Sequence, residues 1–258
     1  MPASPSPAEV RELLAFAVGL ATAAGEQTLR YYGHRVDHTP KSDGSPVTIA
    51  DREAEALVRE RITDRYPEHG ILGEEFGEAN PGARVRWILD PIDGTRSFMR
   101  GVPLYGVLIG VEVDGVSAIG VAHFPPLRET VAAGLGQGCT WNGKPCHVSP
   151  LARLDEALIL TTDLRAVAGD PGWTALQARA DTVRGWGDCY GHALVATGRA
   201  EVMVDPLMHS WDSAPFHPIV SEAGGRFTTR EGVETIHGTS AVSTNGVLHR
   251  EVLELLRS

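Results

Sequence analysis

The stretch Trp87-Ile-Leu-Asp-Pro-Ile-Asp-Gly-Thr-Arg-Ser-Phe98 decides how the rest of the chain is read. The apolar run from Val85 to Leu89 ends abruptly at Asp90, Pro91 bars a helical turn after it, and Gly94 permits a tight bend. Asp90 and Asp93 are therefore expected to leave the end of a strand and point into one space. Two carboxylates held that close repel each other unless a cation lies between them. Hard divalent cations such as Mg2+ take oxygen ligands, and backbone carbonyls can join the carboxylates. Taken alone, the pattern describes an Asp-rich turn after a strand as well as it describes a metal site.

Three further segments occur with it in order: Lys41-Ser-Asp-Gly-Ser-Pro-Val-Thr-Ile-Ala-Asp51, Ile71-Leu-Gly-Glu-Glu75, and Trp211-Asp-Ser-Ala214 followed by Glu222-Ala-Gly-Gly225. Together with Asp90 to Phe98, which matches the pattern D-P-(I/L)-D-G-T-x-(N/S)-F, they resemble the inositol monophosphatase-like family of metal-dependent phosphatases. The four motifs span most of the chain, which makes the resemblance specific. It implies a mixed α+β and α/β fold, the layered α-β-α-β-α sandwich of the inositol monophosphatase/fructose bisphosphatase type, with the metal site between the halves. It also implies a homodimer.

The chain has 258 residues, 42% hydrophobic and 22% charged, as an ordinary globular protein does. Its net charge of −10 argues against a nucleic-acid surface, which would show basic clustering. No apolar run approaches the ~20 residues that span a membrane. The Met1 to Pro7 tail lacks the basic start and apolar core of a signal peptide, so a cytoplasmic location is expected. The three cysteines lack C-x-x-C spacing.

Along the chain, Ser6-Pro7-Ala8-Glu9 has the form of a capping box, and Val10, Leu13, Leu14, Ala17, Leu20, Ala21 and Ala24 recur at helical spacing, with Gly33 as a stop. A second helix is expected over Ile49 to Tyr66, with Asp51 in its first turn, where the helix dipole favours an anion. Ile71 to Glu75 reads as a strand whose two adjacent acids point to opposite sides. Strands at Tyr105–Val113 and Val116–His123 flank the hairpin turn Asp114-Gly115, and Glu129–Ala133 reads as another strand. Asn142-Gly143 marks a second hairpin that sets Cys139 opposite Cys146; a disulfide is conceivable there, and two thiols are the expectation in a reducing compartment. Near residue 150 the pattern changes to alternating strands and helices, so residues 1–149 are expected to form an α+β half carrying most metal ligands and 150–258 an α/β half carrying Asp212. Asp188 and Asp212 each stand where a helix begins, and each is also a good helix cap.

By the resemblance the metal ligands are Glu74, Asp90, Asp93, Asp212 and the Ile92 carbonyl. An all-oxygen set suits Mg2+, or Mn2+, over Zn2+, and two or three ions are expected. The resemblance gives Thr95, held by Asp51, the task of orienting an attacking water, with Glu74 in the same catalytic group. The N–H groups of Gly94 and Thr95 are placed to cradle phosphate oxygens. Residues 184–192 and 205–209 are expected to line the alcohol side, which brings in Arg184, Asp188 and Asp205 beside Asp212. The form Gly187-Asp-Cys-Tyr190, with Arg96-Ser97, is similar to the histidinol-phosphate phosphatase branch of the family. Inositol-specific members typically carry a small residue where Asp188 stands. Acids at Asp188 and Asp205 favour a cationic leaving group such as histidinol over a neutral polyol. The expectation is thus hydrolysis of a small phosphate monoester, with an inositol or sugar phosphate as the alternative. An inactive metal-binding protein is the reading from another class; intact Asp51 and Thr95 argue against it.

Overall fold

The computed structural model describes residues 4–34, 38–40 and 46–257. Residues 1–3 of the N-terminal tail and the Lys41 to Ser45 part of the second motif lie outside them. Seven α-helices are described: α1 (Pro7–Leu29), α2 (Ile49–Arg65), α3 (Thr95–Met99), α4 (Pro171–Gln177), α5 (Asp188–Ala196), α6 (Ser210–Glu222) and α7 (His249–Leu256). They sandwich an eight-stranded sheet, built from residues 70–145, and a five-stranded sheet, built from residues 158–244. Helices α1 and α2 cover the outer face of the first sheet, α5 and α6 lie between the sheets, and α4 and α7 pack on the far side of the second. The layers are those of the α-β-α-β-α sandwich.

Local chemistry explains the elements. Ser6 caps α1 by accepting the Glu9 N–H at 3.2 Å, and Pro7 sits where a helix needs no N–H. The reciprocal half of the expected capping box does not form, because the Glu9 carboxylate pairs with Arg84. The buried stripe Val10, Leu13, Ala17, Leu20, Ala21 and Ala24 meets the sheet. The helix ends at Leu29, four residues before Gly33, whose φ is +80°. Both hairpins form as read: Asp114-Gly115 and Asn142-Gly143 have positive φ at both positions, the geometry of a two-residue hairpin turn. Pro145 lies opposite Thr140, and Cys139 and Cys146 face each other as thiols, Sγ to Sγ 3.5 Å.

Strand Gly106–Val113 is buried at every position, which accounts for its unbroken apolar sequence. Over it lies α6, with Pro215 and Pro218 inside the helix. Pro218 cannot donate to the Ala214 carbonyl, and Ser117 Oγ donates to that carbonyl instead, at 3.3 Å. The seat for this helix is a bare strip of sheet in which Gly110 pairs with Gly120. A Cβ on Gly120 would lie 1.9 Å from the Pro215 carbonyl oxygen, and one on Gly110 2.5 Å from Ala214 Cβ.

Candidate active site

The strand carrying the opening motif runs Val85–Asp93, three residues past the expected end at Asp90. A break in pairing register between Asp90 and Asp93 absorbs Pro91 and turns both carboxylates to one side. Gly94, at φ +83°, then starts the short helix α3, which the sequence reading did not anticipate. The Asp90 carboxylate braces this corner by accepting the Ile92 N–H at 3.0 Å.

Asp212 arrives on α6 from the second half of the chain. It is the third helical residue; His209 is the cap. One carboxylate oxygen, Oδ2, accepts the His209 N–H at 2.7 Å, which leaves the other for a second task. Ligand atoms of Asp90, Asp93 and Asp212 all lie within 4.8 Å of one another. Burial pushes the Asp90 carboxyl well above the ordinary range, and the charges of Glu74, Asp93 and Asp212 push it further. Burial, then Asp212, raises Asp93 to about 7; burial raises Asp212 to about 7 against the pull of the His209 N–H.

Glu74 joins this group, hydrogen-bonded to Asp90. It does not extend a strand, as the sequence suggested. The strand is Gly70–Gly73, and Glu74 and Glu75 lie in the turn after it. That turn is held by Glu55, a residue sequence reasoning passed over. Its buried carboxylate accepts the N–H of Glu75 at 2.8 Å and of Phe76 at 3.2 Å, and Arg59 pairs with it at 2.7 Å.

Asp51 is fully buried and does two jobs. Its Oδ2 accepts the N–H of Thr48 at 2.8 Å and the Thr48 hydroxyl at 2.5 Å, closing the cap of α2. Its Oδ1 faces Thr95 Oγ1 at 3.5 Å. The Thr95 hydroxyl is nearer the Ile92 carbonyl, at 3.0 Å, so that carbonyl has one of its two lone pairs engaged. Burial raises the Asp51 carboxyl to about 6 despite the two Thr48 bonds.

The second wall comes from the five-stranded sheet. Strands Thr182–Arg184, Leu158–Thr161 and Val202–Asp205 are parallel neighbours, so their C-terminal ends share one edge, where open α/β sheets bind ligands. Asp188, Thr162 and Asp205 stand at those ends. They line one pocket with Asp93, Asp212, Cys189, His192, Leu207, Met208 and Phe216. Asp188 is not the cap of α5; Gly187 is, and Asp188 takes the first helical position at φ +49°, a strained value for a residue with a side chain. Its carboxylate lies beside Gly94, where an added Cβ would sit 3.3 Å from Oδ2. Burial, then Asp93 and Asp205, raises it to about 8; burial raises Asp205 to about 6. Arg184 is not brought to this pocket: it is exposed, and its guanidinium turns back to the Val183 carbonyl at 2.8 Å.

The inositol monophosphatase family profile matches residues 9–258. The chain belongs to the inositol monophosphatase family. A histidinol-phosphatase of Chlorobaculum parvum is 46% identical over 93% of this chain and 95% of its own, and a histidinol-phosphatase of Mycobacterium tuberculosis 39% over 95% and 98%. The crystal structure of the extragenic suppressor protein SuhB of Bartonella henselae superimposes with a TM-score of 0.90 at 28% identity, covering 96% of this chain and 99% of that one. The family's enzymes are metal-dependent phosphoric monoester hydrolases, and they act on small phosphate esters. No described helix is long and apolar enough to cross a membrane.

The acidic cluster fits the family's metal dependence: three carboxylates, pushed up by burial and by one another, form an all-oxygen donor set that a hard divalent cation would relax. Thr162 supports the other wall. Its Oγ1 accepts the Asp188 N–H at 2.9 Å and donates to Asp205 Oδ2, while Gly187 passes so close that a Cβ there would lie 2.2 Å from Thr162 Cα. Its place just after strand Leu158–Thr161 was the available signal. Thr162→Val should raise KM at least tenfold with a smaller change in kcat, and Thr162→Ser should restore it; equal kinetics for Val and wild type would remove Thr162 from the site.

Proposed function

We propose that the chain hydrolyses L-histidinol phosphate to L-histidinol and phosphate, with Glu74, Asp90, Asp93, Asp212 and the Ile92 carbonyl holding Mg2+. The observation that carries the substrate is the pair Asp188 and Asp205, two acids raised by burial on the wall facing Asp93 and Asp212. A bound ammonium or imidazolium would let both ionise, as a polyol would not. The two histidinol-phosphatase relatives support the same reading.

Bound divalent ions supply phosphate polarisation, water activation and stabilisation of the leaving oxygen. The chain's own residues do the rest. The N–H groups of Gly94 and Thr95, at the start of α3, hold phosphate oxygens. Thr95 Oγ1 orients the attacking water and takes its proton, while the hydroxyl proton passes to Asp51 Oδ1 across the 3.5 Å contact. With its carboxyl raised only to about 6, Asp51 is mostly anionic at pH 7 and ready to accept it. Glu74 completes the group beside Asp90. By family resemblance we extend the proposal to a cytoplasmic homodimer, with residues 1–149 and 150–258 as the two halves that close on the site.

The deciding measurement is kcat/KM with Mg2+ for L-histidinol phosphate against myo-inositol 1-phosphate. A preference of ~100-fold, about 2.7 kcal/mol of transition-state binding, is expected, and Asp188→Ala should erase most of it by raising KM for histidinol phosphate. A flat or reversed ratio in the wild type would overturn the substrate.

A further inference from the structure

His192 is a buried polar group that the chemistry above leaves unused. It sits on α5 with 1% of its surface exposed, its ring flanked by Phe216 at 5.1 Å and Phe227 at 5.9 Å between centroids. Nδ1 is engaged by Ser243 Oγ at 2.7 Å. Nε2 is buried and has no hydrogen-bond partner among the described residues. His192 lines the pocket shared by Asp188, Asp205, Met208 and Phe216. Burial pushes the imidazole down to about 3, so it is neutral at any working pH. A neutral ring carries one donor and one acceptor, and Ser243, whose hydroxyl can donate or accept, suits Nδ1 in either tautomer. Nε2 is then an unpaired hydrogen-bonding group on a residue that lines a largely acidic and apolar pocket. An unmade bond at such depth is costly, and a site built around it discriminates against ligands that leave it unmade.

We propose that His192 is a specificity-determining residue whose Nε2 hydrogen-bonds the polar end of the leaving alcohol. Its partner is a neutral heteroatom, such as a nitrogen of a five-membered heterocycle. The division of labour is chemical. The acids Asp188 and Asp205 take the positive charge. His192, uncharged and walled by Phe216 and Met208, takes a flat polar group that would gain nothing from another carboxylate. This assignment rests on the histidinol phosphate reading and sharpens it, because it assigns the two ends of that alcohol to different residues.

The test uses two ligand pairs and three variants. L-Histidinol phosphate is compared with phosphoethanolamine, which keeps the phosphate and the ammonium and lacks the heterocycle. Binding of the product L-histidinol is measured by calorimetry, so one readout is independent of turnover. His192→Phe removes both nitrogens, and His192→Asn keeps a group for Ser243 and loses the Nε2 position. Both should weaken L-histidinol binding and raise KM for L-histidinol phosphate roughly ten- to a hundredfold, with kcat and phosphoethanolamine hydrolysis nearly unchanged. His192→Gln, which carries a polar nitrogen at about the Nε2 reach, should recover part of the loss. Melting temperatures separate folding from recognition, and the Asn variant keeps the test alive if Phe fails to fold. Equal losses for both phosphates, or Asn with unchanged L-histidinol affinity, would overturn the assignment and leave the substrate intact. A wild type with no preference for L-histidinol phosphate over myo-inositol 1-phosphate would sink the substrate reading, and this assignment with it.

Discussion

Asp93→Asn is expected to lower kcat about a thousandfold or more while raising the melting temperature of the protein in EDTA. Both effects come from one charge. Asp93, Asp90 and Asp212 bring carboxylate oxygens within 4.8 Å of one another, so on the proposed assignment losing one removes a metal ligand and with it the several kcal/mol of transition-state charge stabilisation that a bound divalent ion would supply. Without a cation the same charge opposes folding. The Asp93 carboxyl, ordinarily near 3.8, is raised to about 7 by burial and Asp212. The unfolded chain releases this proton near pH 4 and the folded chain holds it to about 7. Its contribution to stability is therefore full below pH 4 and is lost as pH rises through 7. Asn cannot ionise, so the variant should lose part of that decline. In the wild type, Mg2+ should raise the melting temperature more at pH 8 than at pH 5, since cation and protons compete for the same oxygens. Melting curves at both pH values, with EDTA or Mg2+, check this. An active Asp93→Asn enzyme, or an Mg2+ shift as large in the variant as in the wild type, would refute the ligand assignment.

What was legible in the sequence was what local chemistry dictates. Asp-Gly and Asn-Gly can take positive φ cheaply, so both hairpins were readable from two residues each. The carboxylates Asp90 and Asp93 were readable because an apolar run stops on them. Glu55 was not: a glutamate at helical spacing looks like a solvated face until the turn at Glu75 and Phe76 is folded onto it. Asp188 looked like a helix cap because Asp favours caps. Its actual place, one residue further on and at φ +49°, depends on Thr162, which is 26 residues away and holds its N–H. Arg184 came with the stretch 184–192 that the resemblance puts on the alcohol side, and an edge strand turned it outward. His192 falls within the stretch 184–192 expected to line the alcohol side but was not singled out there; the unmatched Nε2 sets it apart, and that is visible only when its neighbours are in place.

Gly120→Ala should cost about 3 kcal/mol and lower the melting temperature by roughly 6–12 °C, and should impair catalysis, though the residue touches no ligand. Gly120 and Gly110 pair across adjacent strands and leave the strip on which α6 lies. A methyl at 120 would meet the Pro215 carbonyl at 1.9 Å. That atom is backbone, and no side-chain rotation relieves the overlap, so the helix must lift or the sheet must bend. Either movement is transmitted to Asp212, three residues earlier on the same rigid element. Asp212 must stay within 4.8 Å of two carboxylates contributed by the sheet itself. The loss should therefore show as weaker Mg2+ binding and lower kcat as well as a lower melting temperature. Gly19 provides the contrast. It lies on the exposed face of α1, and a methyl added there would meet nothing within 4 Å, so Gly19→Ala should stabilise by about 0.5–1 kcal/mol through helix propensity and leave kcat alone. If Gly120→Ala instead melts and turns over like the wild type, α6 is free to shift on the sheet, and the spacing of the carboxylates owes nothing to that glycine seat.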